Sequence, residues 1–203
     1  MVCGYGRLLP VIRCILIPIG AGGKGGPSRT KAIDEVAAKH YITSSLATKS
    51  VSKFLMVSYI ASRKSRAPWW SDEDWKAAQH VNEKVLPAYA KAKIEADEHF
   101  AAMTKKRQDI DKTFQAINLR PGTLTDDPPT GKVNLGKTPS RGKVSRADVA
   151  AVAAALLDRD DTTGWYDLLE GDDGIESAID ELVKGGHNGQ EGEDLDRIYS
   201  RLS

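Results

Sequence analysis

The chain has 203 residues, enough for one domain with a real core, and 40% hydrophobic with 28% charged content excludes a disordered or fibrous chain. Its 29 basic and 28 acidic side chains leave a formal net charge of +1, which points to neither a nucleic-acid nor a membrane-surface partner. The two cysteines, Cys3 and Cys14, make no disulfide framework, so a reducing, cytoplasmic setting is expected.

The apolar run "LLPVIRCILIPIG" opens the chain. Arg13 interrupts it, Pro10 and Pro18 break it, and it falls short of the ~20 residues of a membrane-spanning helix. It is therefore expected to be no membrane span. Residues 1–14 read as an N-terminal extension and Ile15 to Gly20 as a buried strand. A helix is expected from Pro27 to Leu46, and "KFLMVS", ending at Ser58, as a second strand.

A polar loop rich in tryptophan follows, and then a long helical region running from Ser71 to about Arg107. Ser71 and Asp74 are placed as a capping box, and Pro87 is expected to kink or divide the region. "FQAINLRPG", Phe114 to Gly122, reads as a third strand closed by a Pro-Gly turn, and "TGKVNLGK" as a short extended piece. Ser145 and Asp148 mark the start of another helix, again as a capping box. "GWYDLLEG" and "GIESAIDELVK" read as a last strand and a last helix. Residues 185–203 are polar and glycine-rich, and are expected to form a flexible tail.

Strand and helix in alternation predict an α/β fold, a parallel sheet with helices on both faces. Such sheets bind ligands at the carboxyl ends of their strands, so Gly20 to Gly25, Ser58 and Pro121-Gly122 are expected to be neighbours.

Tyr89 and Lys93 stand four apart in "YAKAK". On a helix they share a face, and a nearby ammonium would lower the tyrosine pKa toward a value useful for proton transfer. The bland alternative is a half-buried tyrosine beside a solvated lysine. Ser58 could polarise a substrate carbonyl or merely close its own turn. Trp69, Trp70 and Trp75 could roof a pocket, or pack a long loop onto the domain, the commoner arrangement. His40, His80, His99 and His187 have no metal-ligand spacing, and no metal site is expected.

In this order, "GAGGKGG", "FLMVSYIASR", "YAKAKIEADEHF", "INLRPGTLTDDPPTGKV" and "VSRADVAAV" resemble the short-chain dehydrogenase/reductase superfamily, most closely its atypical, NmrA-like branch. The resemblance runs from Ile15 to Lys184. It implies a Rossmann-like NAD(P)-binding domain, of which residues 15–184 would be the C-terminal portion. The turn "GAGGKGG" would be the one after the fourth strand. The first-strand fingerprint T-G-x-x-G-x-x-G would lie ~80 residues earlier in a complete fold, and no such run occurs in this sequence.

The resemblance assigns Ser58, Tyr89 and Lys93 to a Ser-Tyr-Lys constellation. Tyr89 would be the general acid/base, Lys93 would bind the nicotinamide ribose and Ser58 would hold the substrate oxygen. Ala21, Gly22, Pro121 and Gly122 would lie along the cofactor. The function implied is an oxidoreductase acting on a small carbonyl or alcohol substrate. The alternative is a non-catalytic binding or sensing domain, or a truncated remnant. Without the first fingerprint, weak NAD(P) binding and self-association through an uncovered sheet edge are expected.

Overall fold

The structure, a computed structural model, describes residues 13–18, 20–21 and 25–202. Gly22 lies outside the described residues. Strands β1 (Cys14–Ile17), β2 (Lys53–Val57), β3 (Gln115–Pro121) and β7 (Gly164–Glu170) pair side by side in parallel. The antiparallel β5 (Lys132–Gly136) and the short β8 (Asp173–Gly174) extend the same sheet, giving the order β1-β2-β3-β7-β5-β8. A small separate pair joins β4 (Thr123–Thr125) to β6 (Lys143–Ser145). The expected α/β architecture, a mostly parallel Rossmann-like sheet between helices, is what forms.

Helix α1 runs without a break from Gly26–Thr30 through the wider π-helical turn Lys31–Ala37 to Ala38–Ala47. Helix α2 (Asp72–His80) also widens, at Val81–Val85, and then stops. Leu86 leaves helical geometry there (φ −131°, ψ 48°), and Pro87 begins α3 (Pro87–Ile110). Proline has no N–H and fixes its own φ, so it divides the region and suits the first turn of α3. Helices α4 (Arg146–Asp158), α5 (Ile175–Lys184) and the short α6 (Leu195–Tyr199) complete the set.

Side chains alternate across a strand, so each strand feeds two cores. Phe54 and Met56 of β2 pack with Ile42 and Leu46 of α1 and Phe100 of α3. Leu55 points the other way and joins Ile117, Leu119, Val152, Leu156 and Ile179, under α4 and α5.

Two expectations are corrected. Ser145 caps α4, but Asp148 does not return to the backbone N–H of Ser145. Its carboxylate accepts from the backbone N–H groups of Thr130 (3.0 Å) and Gly131 (2.9 Å), tying the β4–β5 loop to the helix start. The segment read as a flexible tail is packed. Ile198 is fully buried against Ala101, Ala102 and Trp165, and Arg197 and Arg201 pair with the nearly buried Glu98. The polar composition was the misleading signal, because one apolar anchor and several ion pairs hold this segment down.

Glu95, bridged by Arg201 and Lys39, is held down at about 2 despite its partial burial. A carboxyl with a depressed folded-state pKa stabilises the fold fully above its ordinary pKa and loses that effect as pH falls through the folded value. The stability difference between wild type and Glu95→Gln should therefore be constant above about pH 5. It should vanish as pH approaches 2. At this exposure the difference is worth roughly 0.5–1 kcal/mol, measurable by urea titration across that range.

Candidate active site at the carboxyl edge of the sheet

The period of two that sends Phe54 and Met56 toward α3 sends Ser58 the same way. Ser58 follows the last residue of β2, and its backbone N–H still donates to Leu119 O (2.8 Å) in β3. Its hydroxyl donates to Asp97 Oδ2 at 2.7 Å. Two residues on, Ile60 N–H donates to Pro121 O (3.0 Å), so the ends of β2 and β3 meet as expected.

Helix α3 presents Tyr89, Lys93 and Asp97 at four-residue spacing, along one face. Lys93 is 2% exposed and its ammonium donates to Val57 O at 2.9 Å. The Tyr89 ring packs on that of Tyr59, with centroids 5.0 Å apart. The hydroxyl of Tyr59 donates to Asn82 Oδ1 (2.7 Å), and the Asn82 amide donates to Ala61 O (2.8 Å). Ser58, Tyr89, Lys93 and Pro121 thus converge at one edge.

Sequence reasoning missed Asp34 and Asp97. Asp34 sits in the π-helical turn of α1, fully buried, and its Oδ2 accepts from Ala21 N–H at 3.1 Å. A π-turn inside an α-helix is a common mark of a functional position. The available signal was a carboxylate in step with Ala38 and Ile42 on a buried stripe. Both aspartates have one oxygen, Oδ1, without a partner among the described residues.

Burial raises the carboxyl pKa of Asp34, against the pull of the Ala21 N–H and the Lys93 charge. Burial also raises Asp97, against Lys93 and the hydroxyls of Ser62 and Ser58, and lowers Lys93, against the two aspartates.

Tyr89 departs from expectation. Its pKa is raised, by burial first and then by the negative charges of Asp34 and Asp97. The expected lowering by Lys93 does not dominate, because that ammonium is turned to the Val57 carbonyl beside two carboxylates. Tyr89 is consequently a protonated phenol at neutral pH.

Other expectations resolve in the same region. Trp69 and Trp70 both donate their indole N–H to Thr138 O (3.0 and 2.9 Å) and pack the loop onto the domain, the bland alternative. Arg63, Lys64 and Arg66 pair with Glu193, Glu98 and Asp72.

At Gly122 a Cβ would lie 2.5 Å from Leu169 Cδ2 and 2.7 Å from Gly142 O. The missing side chain makes room for protein there, not for a ligand. Gly122→Ala should lower stability by about 1–3 kcal/mol, read as a drop in the thermal midpoint. A small cavity of about 110 Å³, lined by Thr104, Gln108, Ala116, Thr163 and Trp165, lies at the opposite, amino end of β3 and β7. Among the described residues no cluster could hold a metal ion, and no helix is long and apolar enough to cross a membrane.

The donor and acceptor set fits the ribose end of a nicotinamide cofactor. A ribose diol both donates and accepts. Lys93 has two ammonium N–H groups beyond the one given to Val57, Asp34 Oδ1 is an acceptor without a partner among the described residues, and the Tyr89 phenol stands one turn from Lys93.

A family model described as NAD(P)H-binding matches residues 13–160. A UPF0659 protein of Schizosaccharomyces pombe is 31% identical over 179 residues, which cover 86% of this chain and 68% of that protein. The uncharacterized sugar epimerase YhfK of Bacillus subtilis is 31% identical over 170 residues, 83% of this chain and 68% of its own length. Among solved structures, a candidate NAD-dependent epimerase/dehydratase from Bacillus halodurans superposes with a TM-score of 0.65 at 25% identity, covering 84% of this chain and 70% of that one.

Proposed function

From the premise that this chain belongs to the NAD(P)H-binding family, we propose that it supports NAD(P)-linked interconversion of an alcohol and a carbonyl, with Tyr89 as the proton donor. The observation that carries this reading is the placement of Tyr89 one helical turn before the buried Lys93, at the carboxyl edge of the parallel sheet. Oxidoreductases and epimerases that work through a transient carbonyl share that requirement, and one relative is named a sugar epimerase.

The nicotinamide, when bound, supplies or accepts the hydride. Lys93 and Asp34 would hold its ribose. Tyr89, kept protonated by burial and the two aspartates, gives its proton to the substrate oxygen in the reducing direction. Asp97 holds the Ser58 hydroxyl, so Ser58 supports the site through Asp97 more than it donates to substrate.

The commitment of Ser58 to Asp97 also favours a second reading, a binding domain without turnover. Both readings place NAD(P)H in the same site, held chiefly at its nicotinamide ribose. With no first-strand glycine fingerprint in the sequence, the pyrophosphate lacks its usual helix N-terminus, and a Kd near millimolar is expected. Calorimetric titration of the 203-residue chain with NADPH and NADH checks this. A one-to-one isotherm in the low-micromolar range would show that the "GAGGKGG" turn works as a phosphate loop.

A further inference from the structure

Arg63 is four residues beyond Tyr59, and its side chain has no exposed surface. Its guanidinium is filled almost entirely by the C-terminal segment. Nη1 donates to Gly189 O (3.0 Å), Nη2 to Glu191 O (2.7 Å), and Nε lies 3.4 Å from the carboxylate of Glu193. Nε also donates to Ser65 O (2.9 Å), and the indoles of Trp69 and Trp70 stack at 5.4 and 5.3 Å. Three partners more than 120 residues away thus converge on one side chain of the loop that follows Ser58.

That loop is rigid in the direction of the site. Arg63 N–H donates to Ala61 O (2.8 Å), which also receives the Asn82 amide, and Asn82 accepts from the hydroxyl of Tyr59, whose ring packs on that of Tyr89. Arg120, whose Nη2 donates to Ile60 O at 2.9 Å, anchors the same turn from the sheet. The C-terminal segment is held chiefly by polar contacts, with Ile198 as its buried apolar anchor. It leaves α5 through Gly185 and Gly186, the latter with φ +59°.

We infer that Arg63 is a positioning residue for Tyr59 and Tyr89, and that it acts through the C-terminal segment, which straps the site loop in place. The inference rests on the site reading above for its functional meaning, but the strap itself is measurable without any ligand.

Gly192 offers a lever where the strap meets the loop. It has φ +88°, and a Cβ there would lie 2.8 Å from Arg66 O and 2.9 Å from Pro68 Cδ. Gly192→Val should push the strap off the loop. Arg63→Lys keeps the charge but cannot reach two carbonyls and a carboxylate at once.

Amide hydrogen exchange of the full chain should show residues 59–70 exchanging about tenfold faster or more in Gly192→Val, and less so in Arg63→Lys, with β3 and residues 167–170 of β7 unchanged. Tyrosine absorbance provides the spectroscopic signature. Phenols that resist ionisation in the wild type should ionise at lower pH in both variants, because the Tyr59–Tyr89 stack loosens. Two results would overturn the inference. One is release of residues 189–198 with residues 59–70 still protected. The other is equal acceleration in β3 and residues 167–170 of β7, which marks general destabilisation. Failure of wild type to bind NADPH even at several millimolar would sink the proposed function and leave the exchange result standing.

Discussion

Tyr89→Phe should reduce turnover by roughly 10²-fold or more while leaving cofactor affinity nearly unchanged. Phenylalanine keeps the ring that packs on Tyr59 at 5.0 Å, so the stack and the path of α3 persist. Only the phenolic proton is lost. Because burial and the charges of Asp34 and Asp97 favour the protonated phenol, Tyr89 would act as the donor in the proposed carbonyl reduction. The oxidative direction needs the phenolate, so its rate should still be climbing at the alkaline end of the accessible range. The measurement is NADPH consumption with a carbonyl substrate, alongside calorimetry of NADPH binding to both proteins. Equal turnover in the two proteins would remove Tyr89 from the chemistry and leave the binding-domain reading.

The largest expected effect on stability belongs to Arg120→Met. Arg120 and Asp167 face each other on the adjacent strands β3 and β7, both fully buried, with Nε to Oδ1 at 2.8 Å. The guanidinium also reaches Ile60 O and stacks on Trp165 at 5.2 Å. Removing it leaves a carboxylate with no route to water, at a cost of about 3–5 kcal/mol. For a chain of this size that lowers the thermal midpoint by roughly 6–20 °C.

The pH dependence has a definite sign. Burial already raises Asp167, and the Arg120 charge is the strongest opposing influence. Without it the folded-state pKa rises further above the unfolded value. The variant is then least impaired below the ordinary carboxylate pKa, and loses stability relative to wild type as pH rises through the folded-state value. The double variant Arg120→Met with Asp167→Leu should regain most of the loss, since apolar side chains can replace a buried ion pair at little net cost. Thermal melts of the three proteins at pH 5 and pH 8 decide it. A double variant as unstable as the single one would show that the contacts to Ile60 and Trp165, not the stranded charge, set the cost.

The elements themselves were legible because their causes are local. Short apolar runs in "KFLMVS" and "FQAINLRPG" set buried strands, Ser71 with Asp74 closes a capping box, and Pro87 divides the long helical region. The four-residue spacing of Tyr89 and Lys93 places them on one helical face in any fold. The convergence of strand ends follows from parallel topology, so the edge carrying the candidate site could be named from the pattern alone.

What each group does at that edge was decided by tertiary structure. Asp34 lies on a different helix from Asp97, and burial first and then these two charges raise Tyr89, the reverse of the lowering that Lys93 alone predicts. Arg120 and Asp167 are 47 residues apart, and Arg63 and Glu191 are 128 apart. A side chain's charge state depends on how much water the whole fold removes and on every charge then within reach. Neither quantity is written in a window of neighbouring residues. For the same reason the glycine-rich C-terminus reads as loose by composition, while long-range pairing with Arg63 and Glu98 makes it part of the domain.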